Sequence, residues 1–205
     1  MLFVVTGEVQ TGKTRWIERL VGDLDARGVV CRGVVAPGVW RVVEGESERG
    51  SVVREKLGID NVLLPQGSRV PFALRCDLAQ RAGSFDEESQ AARARLRWAI
   101  DDAAIAQVNR HLADLRARPS RTPGLLVLDE LGRLELLRNQ GLTEALALLD
   151  AGASSALPHA LVVVRADLLG AACAREWDAV WGGLRAIGPT DEARAAVLDC
   201  FSRAR

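Results

Sequence analysis

The feature that most constrains this chain is its opening, where a short apolar run at residues 2–5 leads directly into GEVQTGKT at residues 7–14. Two glycines separated by four residues, followed by Lys13 and Thr14, form the pattern G-x-x-x-x-G-K-[ST]. Residues 13–27 then repeat apolar side chains at helical spacing, and a glycine ends the repeat. The sequence therefore predicts a buried strand, a glycine-rich turn and an amphipathic helix in direct succession.

This succession is the setting in which the pattern, called Walker A, binds phosphate. Its glycines let successive backbone N–H groups point towards phosphate oxygens, and the helix N-terminus adds the positive end of its dipole. We expect Lys13 to reach the β- and γ-phosphates and the Thr14 hydroxyl to bind Mg²⁺. An ordinary glycine-rich turn is the alternative. The loop expected to contact a nucleotide comprises Gly7, Glu8, Val9, Gln10, Thr11, Gly12, Lys13 and Thr14.

The use of basic residues supports this interpretation of Lys13. Of the 27 basic residues, 25 are arginines and only Lys13 and Lys56 are lysines. In such a chain, lysine is expected mainly where arginine cannot replace it. A cradle of backbone amides is such a place, because the planar guanidinium is too wide and too rigid for it.

A second pattern follows the apolar run at residues 125–128, where Asp129 and Glu130 stand side by side. A buried strand that ends in a carboxylate has the form of Walker B, so we expect Asp129 to hold Mg²⁺ directly or through water. Glu130 is then the candidate that orients and deprotonates an attacking water. The alternative is a solvated turn after a strand.

Strand and helix patterns alternate along the chain, which favours an α/β fold with a parallel sheet and right-handed crossovers. We predict one domain over residues 1–205. Strands are predicted at residues 2–5, 29–35, 125–128, 161–164 and 184–187, and helices at 13–27, 101–118, 142–149 and 167–181 and after residue 190.

Residues 39–92 do not follow this alternation. We predict a β-hairpin insertion there, on the edge of the main sheet, with residues 77–92 as a surface loop or mobile segment and residues 93–100 as a further strand. The short strands of the insertion are predicted at residues 39–43, 51–53, 61–64 and 69–73.

Composition excludes several classes of function. The formal net charge is zero, which gives no reason to expect nucleic acid or an anionic membrane as partner. No apolar run approaches the roughly 18 residues of a membrane span, and no signal-type segment precedes the first strand, so we expect a cytoplasmic protein. The four cysteines have no Cys-x-x-Cys pair and only two histidines accompany them, which argues against a zinc site.

The two motifs together resemble the small P-loop nucleoside-triphosphatase family, the cancer-related nucleoside-triphosphatase-like proteins. GEVQTGKT and LLVLDELGRLEL at 125–136 carry the resemblance, and GVVAPGVW at 33–40 and WAIDDAAIAQVNRHL at 98–112 extend it along the chain. The resemblance implies a RecA-like P-loop core that hydrolyses ATP, GTP and other nucleoside triphosphates with Mg²⁺.

The chain also departs from the family pattern. Family loops often have Pro-Gly where this chain has Val9 and Gln10, and Thr or Ser where it has Arg15. These departures from the family pattern imply a differently shaped loop, with Arg15 near the α-phosphate. Residues 39–92 match least well.

Arg165 ends a second apolar run, at the edge of a parallel sheet where ligands bind. Its guanidinium could stabilise the γ-phosphate, or it could form a surface ion pair with Asp167 or Glu176. Glu135 could equally fix its loop through Arg133 or Arg138, or touch the nucleotide. Trp177 and Trp181 are expected to pack in the core or against a partner rather than to stack on a base, and His111 is expected to be partly buried.

Three functions remain open. The first is Mg²⁺-dependent hydrolysis of a nucleoside triphosphate. The second is a P-loop kinase, with residues 39–92 forming an acceptor site or lid. The third is a nucleotide-dependent switch that binds a still unknown protein partner, because DELG at 129–132 also matches the Asp-x-x-Gly of GTPases. A guanine-reading [Asn/Thr]-Lys-x-Asp motif is absent, since Lys56 stands in Glu-Lys-Leu.

Overall fold

The computed structural model of the chain describes residues 1–8, 11–46 and 52–202, and no side chains at 44–46 and 52–53. Within these residues, nine strands join one sheet. The strands are β1 (Leu2–Val5), β2 (Val30–Val35), β3 (Gly38–Glu46), β4 (Val52–Leu64), β5 (Ser68–Arg75), β6 (Trp98–Ile100), β7 (Gly124–Leu131), β8 (His159–Val164) and β9 (Leu184–Ile187). The helices are α1 (Lys13–Asp25), α2 (Cys76–Arg81), α3 (Gln90–Arg93), α4 (Asp102–Ala117), α5 (Arg133–Arg138), α6 (Thr143–Ala151), α7 (Leu169–Cys173), α8 (Trp177–Trp181) and α9 (Asp191–Ser202).

The sheet has a parallel part and an antiparallel part. Strands β2, β7, β8, β1 and β9 lie side by side in that order and are parallel. Strands β4, β5 and β6 continue the sheet beyond β2 in antiparallel pairing, and β3 pairs with β4. The predicted α/β fold, a RecA-like P-loop arrangement with a β-rich insertion at one edge, is confirmed.

Helices cover both faces of the parallel strands. Because side chains of a strand alternate between its faces, Leu2 and Val4 of β1 pack in a cluster with α4, α6 and α8, while Phe3 and Val5 pack with α1 and α9. All four are buried, as expected for a central parallel strand. The parallel strands are thereby fixed in place, and their carboxyl ends lie together at one edge.

The insertion differs from its prediction in one respect. Residues 51–53 and 61–64 were expected to be separate strands, but Val52–Leu64 is one strand, β4. Gly58 lies inside this strand. Glycine is favoured at this position because a Cβ there would come 2.6 Å from a backbone carbonyl oxygen of β5. Residues 47–51, which include the start of the predicted strand 51–53, lie outside the described residues.

The loop predicted at 77–92 is confined to residues 82–89, because α2 and α3 lie at its two ends. Helix α3 begins after Ser89, whose hydroxyl accepts a hydrogen bond from the backbone N–H of Ala92 at 3.2 Å, and such short capped helices carry little periodicity. The strand predicted at 93–100 is confined to Trp98–Ile100.

The helix predicted at 167–181 is interrupted. A 3₁₀ turn at Ala166–Leu168 leads into α7, and Glu176, with φ of 55°, separates α7 from α8. Trp177 and Trp181 of α8 are each 1% exposed, and their indole N–H groups donate to the Asp150 carboxylate at 2.7 Å and to the Leu149 carbonyl at 2.8 Å. Core packing of both tryptophans is confirmed.

Across the described part of the chain, no helix is both long and apolar enough to span a membrane.

Candidate active site

The glycine-rich loop connects β1 to α1 at the carboxyl edge of the sheet. Gly7 has φ of 142° and Gly12 has φ of 84°, conformations that side chains disfavour. Gly12 stands directly before α1, so the backbone N–H groups of the first turn are directed into the loop. The hydroxyl of Thr11 donates to the Glu8 carbonyl at 2.9 Å. Val9 and Gln10, two of the predicted loop residues, lie outside the described residues.

Lys13 reaches back over this loop. Its Nζ donates to the carbonyl oxygens of Gly7 at 3.0 Å and Glu8 at 2.6 Å. The ammonium is therefore held inside the loop that would enclose a phosphate chain.

The end of β7 contains a β-bulge that positions the two predicted carboxylates. Leu128 pairs with Val162 and Leu131 pairs with Val164, so β7 has two residues, Asp129 and Glu130, where β8 has one. Asp129 is 5% exposed, whereas Glu130 is exposed and has φ of 77°. A positive φ is uncommon for a residue other than glycine and is typical of functional sites. Because of the bulge, the two adjacent carboxylates lie in different surroundings, with Asp129 buried and Glu130 exposed.

Asp129 lies between three elements. Its Oδ2 accepts a hydrogen bond from the backbone N–H of Ala36 at 3.0 Å, just after β2. The hydroxyl of Thr14, in the first turn of α1, lies close enough to the same carboxylate to stabilise its charge. Burial raises the pKa of Asp129 to about 6, although the hydrogen bond from Ala36 and the nearby Thr14 hydroxyl act in the opposite direction. The structure therefore brings together the two residues that the sequence predicts as Mg²⁺ ligands.

This pair fits a magnesium ion. Mg²⁺ prefers hard oxygen ligands and is usually bound by one or two carboxylates together with substrate phosphates and waters. Thr14 supplies a hydroxyl and Asp129 a buried carboxylate whose charge has no cation at ion-pairing distance among the described residues. A cation at this position would offset the cost of burying that charge.

Arg165 lies at the end of β8, the strand between β1 and β7. Its guanidinium forms an ion pair with Asp167, with Nε–Oδ1 at 3.1 Å and Nη2–Oδ2 at 3.3 Å. Arg133 also contacts Asp167, at 3.4 Å. Of the two partners considered from the sequence, Asp167 is the one observed, and the guanidinium remains 40% exposed at the carboxyl edge.

Glu135 has a different role from those considered. It is 6% exposed, and its two oxygens accept hydrogen bonds from the backbone N–H groups of Gly132 and Leu142, each at 2.8 Å. It therefore ties the start of α5 to the start of α6 and holds the segment directly after Glu130. The expected arginine partners are not observed, since backbone amides occupy both oxygens.

Arg15 lines a cleft of about 330 Å³ beside the loop. Trp16 joins this cleft to the segment before α9, because its indole N–H donates to the Thr190 carbonyl at 2.7 Å. The cleft is lined by Thr11, Gly12, Arg15, Trp16, Arg19, Pro189, Thr190 and Asp191.

Lys56, which the sequence analysis did not assign to the site, lies near its two carboxylates. It lies on β4, with Nζ 5.2 Å from the ring centre of Trp98 and 5.9 Å from that of Trp40. Glu130 and Asp129 are the carboxylates that act on its charge and raise its pKa, while burial, the larger effect, lowers it. The scarcity of lysine in this chain was the signal that could have found it.

No protein-family profile and no curated protein matches this chain. Among solved structures, a human cancer-related nucleoside triphosphatase is similar with a TM-score of 0.62 and 18% identity, over 100% of this chain and 98% of that chain. THEP1 from the hyperthermophile Aquifex aeolicus is similar with a TM-score of 0.58 and 17% identity, over 98% and 96%. The chain has the fold of these proteins, which confirms the predicted resemblance at the level of the fold.

Proposed function

We propose that this chain, built on the fold of P-loop nucleoside triphosphatases, hydrolyses nucleoside triphosphates to the diphosphate and phosphate with Mg²⁺, and accepts ATP and GTP alike. The observation that carries the proposal is the proximity of the Thr14 side chain, at the start of α1, to the carboxylate of Asp129, at the end of β7. It joins the two motifs at one place, although 114 residues separate them in sequence, from position 14 to position 129.

Binding would depend on the glycine-rich loop. The backbone N–H groups of residues 7–14 would surround the phosphate chain, and Lys13 would exchange its two carbonyl partners for β- and γ-phosphate oxygens. Arg15 would lie on the side of the α-phosphate. Thr14 and Asp129 would hold Mg²⁺, which supplies positive charge to the phosphate oxygens.

Hydrolysis would depend on Glu130. Its exposed carboxylate would accept a proton from a water molecule while the water oxygen bonds to the γ-phosphorus. The bond from the γ-phosphorus to the bridging oxygen breaks, and that oxygen leaves with the diphosphate. Lys13 and the loop amides would stabilise the charge on the transferred group, which is the main contribution in this chemistry.

Arg165 would add to this stabilisation by leaving Asp167 and turning to the γ-phosphate. Its place on β8 supports the role, because that strand lies between the strand before the loop and the strand that carries Glu130. The present ion pair is an exposed one, and such pairs contribute only about 0–1 kcal/mol, so exchanging it for a phosphate costs little.

Phosphate release from each common nucleoside triphosphate tests the proposal. We expect release with Mg²⁺ and without any acceptor, and none after chelation of the metal. Release that begins only when a nucleoside or other small acceptor is added would instead support a kinase. Tight binding of Mg²⁺ and nucleotide with no release would support a nucleotide-dependent switch.

A further inference from the structure

The hairpin of β3 and β4 extends beyond the carboxyl edge of the parallel strands. Val35, the last residue of β2, pairs with Val62 of β4. Because β4 runs antiparallel to β2, its earlier residues continue past the end of β2, where they pair with β3. Lys56, which pairs with Trp40, lies in this projecting part. The hairpin thus carries Lys56 to the edge at which Asp129 and Glu130 are found.

The side chain of Lys56 is held in a fixed place by the Lys56–tryptophan cluster, which consists of Lys56, Trp40 and Trp98. The ammonium lies over both indole rings, at the cation–π distances given above. Gly38 leaves room for it, since a Cβ there would come 2.9 Å from Cε of Lys56 and 2.6 Å from the indole nitrogen of Trp40. Such packing orders a side chain that is otherwise flexible.

The charge of Lys56 has no counterion at close range. Among the described residues, no carboxylate lies within 4 Å of its ammonium, although the lysine is half-buried. Its neighbour Glu55 is already engaged, because its two oxygens contact Arg41 and Arg75. A partly buried cation that is held by aromatic faces, with the carboxylates of Glu130 and Asp129 beyond ion-pairing distance, leaves room for an anionic ligand.

We propose that Lys56 is a further catalytic residue, whose ammonium binds the γ-phosphate of the nucleotide and stabilises the charge on the transferred phosphoryl group. The inference rests on the proposed function and adds a cation from the hairpin to those of the loop. Lys56 donates hydrogen bonds and transfers no proton, so the stoichiometry of hydrolysis is unchanged.

The composition of the chain supports the same role independently. The chain uses arginine at 25 of 27 basic positions and keeps lysine only at 13 and 56. A compact ammonium with three donors fits between two indoles and a phosphate, whereas a planar guanidinium would stack on the rings. Both lysines of the chain would then contact the same γ-phosphate.

The test compares Lys56→Met with Arg69→Ala. Methionine keeps an apolar stem against Trp40 and Trp98, and removes only the charge. Arg69, on β5, is 61% exposed and pairs with Asp60, so its replacement removes an equal charge from the same sheet, at a side chain that is already paired. Calorimetry measures the affinity of each protein for Mg·NDP alone and for Mg·NDP with aluminium fluoride, which mimics the transferred phosphoryl group, and phosphate release gives kcat.

We expect Lys56→Met to bind Mg·NDP within about threefold of the wild type, and to lose on the order of 10²-fold in kcat and in affinity for the aluminium fluoride complex. Arg69→Ala should match the wild type in all three. If Lys56→Met behaves like Arg69→Ala while the wild type hydrolyses nucleotide, the role of Lys56 is overturned and the proposed function stands. If the wild type neither binds Mg·NTP nor releases phosphate, both are overturned.

Discussion

The Nζ atom of Lys13 lies 2.6 Å from the carbonyl oxygen of Glu8, inside the loop to which the lysine itself belongs. The ammonium thus donates hydrogen bonds to carbonyl oxygens, and phosphate oxygens would take the place of these acceptors.

Replacement of this lysine should remove nucleotide binding. Lys13→Ala deletes the charge in the loop, and we expect affinity for Mg·ATP to fall by at least about 10²-fold, because a charge-assisted contact to phosphate is lost from an enclosed site. Calorimetric titration measures this loss. Arg27→Ala, a change near the far end of α1, is the control and should bind normally. Unchanged affinity of Lys13→Ala would refute the assignment of the loop.

Replacement of Glu130 should separate binding from hydrolysis. Glu130→Gln keeps the size of the side chain but cannot accept the proton of the attacking water, so kcat should fall by roughly 10²–10⁴-fold. Binding of Mg·ATP should stay near the wild-type value. Phosphate release and titration are measured on the same preparation, with Glu87→Gln, an exposed residue before α3, as control. Normal turnover of the Gln variant would exclude Glu130 as the base.

The stability of the nucleotide-free protein should depend on pH through Asp129. Burial raises its pKa from 3.8 to about 6, so the folded state binds more protons than the unfolded state between these values. The free energy of unfolding should therefore fall as pH rises through this window and level off above it. Relative to Asp129→Asn, the wild type should lose about 1.5 kcal/mol between pH 5 and pH 8.

Urea unfolding of both proteins at the two pH values measures this difference. Because Mg²⁺ binds the ionised carboxylate, affinity for Mg·ATP should also weaken below pH about 6. If the free energies of unfolding of the wild type and of Asp129→Asn change equally with pH, Asp129 is not the group responsible.

Arg165 and Arg133 offer a matched pair, since both contact Asp167. If Arg165 turns to the γ-phosphate during catalysis, Arg165→Ala should lower kcat by about 10-fold or more, whereas Arg133→Ala should leave it unchanged. Thermal unfolding of both variants controls for loss of the shared ion pair. Equal kcat values for the two variants would leave Arg165 with the surface ion pair alone.

Glu135 should matter for stability more than for chemistry. Glu135→Ala leaves two backbone N–H groups without their acceptor, and each buried hydrogen bond to a charged group contributes about 1.5–3 kcal/mol. We expect the free energy of unfolding to fall by about 3 kcal/mol in urea, while the exposed control Glu87→Ala stays near the wild type. A loss below about 0.5 kcal/mol would show that the two bonds are dispensable.

The parts of the fold that sequence could predict are those whose signal is local and repeated. The apolar runs of β1, β7 and β8 and the periodicity of α1 and α4 follow from burial on one or two faces. Helix α5 carries no such pattern, because its six residues complete less than two turns. The length of β4 could not be predicted, because Gly58 indicates a turn unless the neighbouring strand is known.

The residues of the candidate site also divide into those that the sequence could predict and those that it could not. The loop, Asp129 and Glu130 could be predicted as site residues because the two motifs that contain them have fixed spacing. The contact of Asp129 with Ala36 and the place of Lys56 depend on which strands lie side by side, and no spacing along the chain encodes that order. Single residues from distant strands can be assigned only once the sheet is assembled.

The bulge at the end of β7 resets the alternation of the strand. Leu126 and Leu128 face the cluster of α4 and α6, and Leu131 faces it again. In an uninterrupted strand, alternate residues share a face, so Leu131 would point to the opposite face from Leu126 and Leu128. Deleting one codon at position 129 or 130 would restore regular pairing and so leave Leu131 correctly buried. Such a frame-preserving deletion should yield a well-folded protein that lacks the proposed hydrolysis, which would then depend on a single extra residue that the architecture does not need.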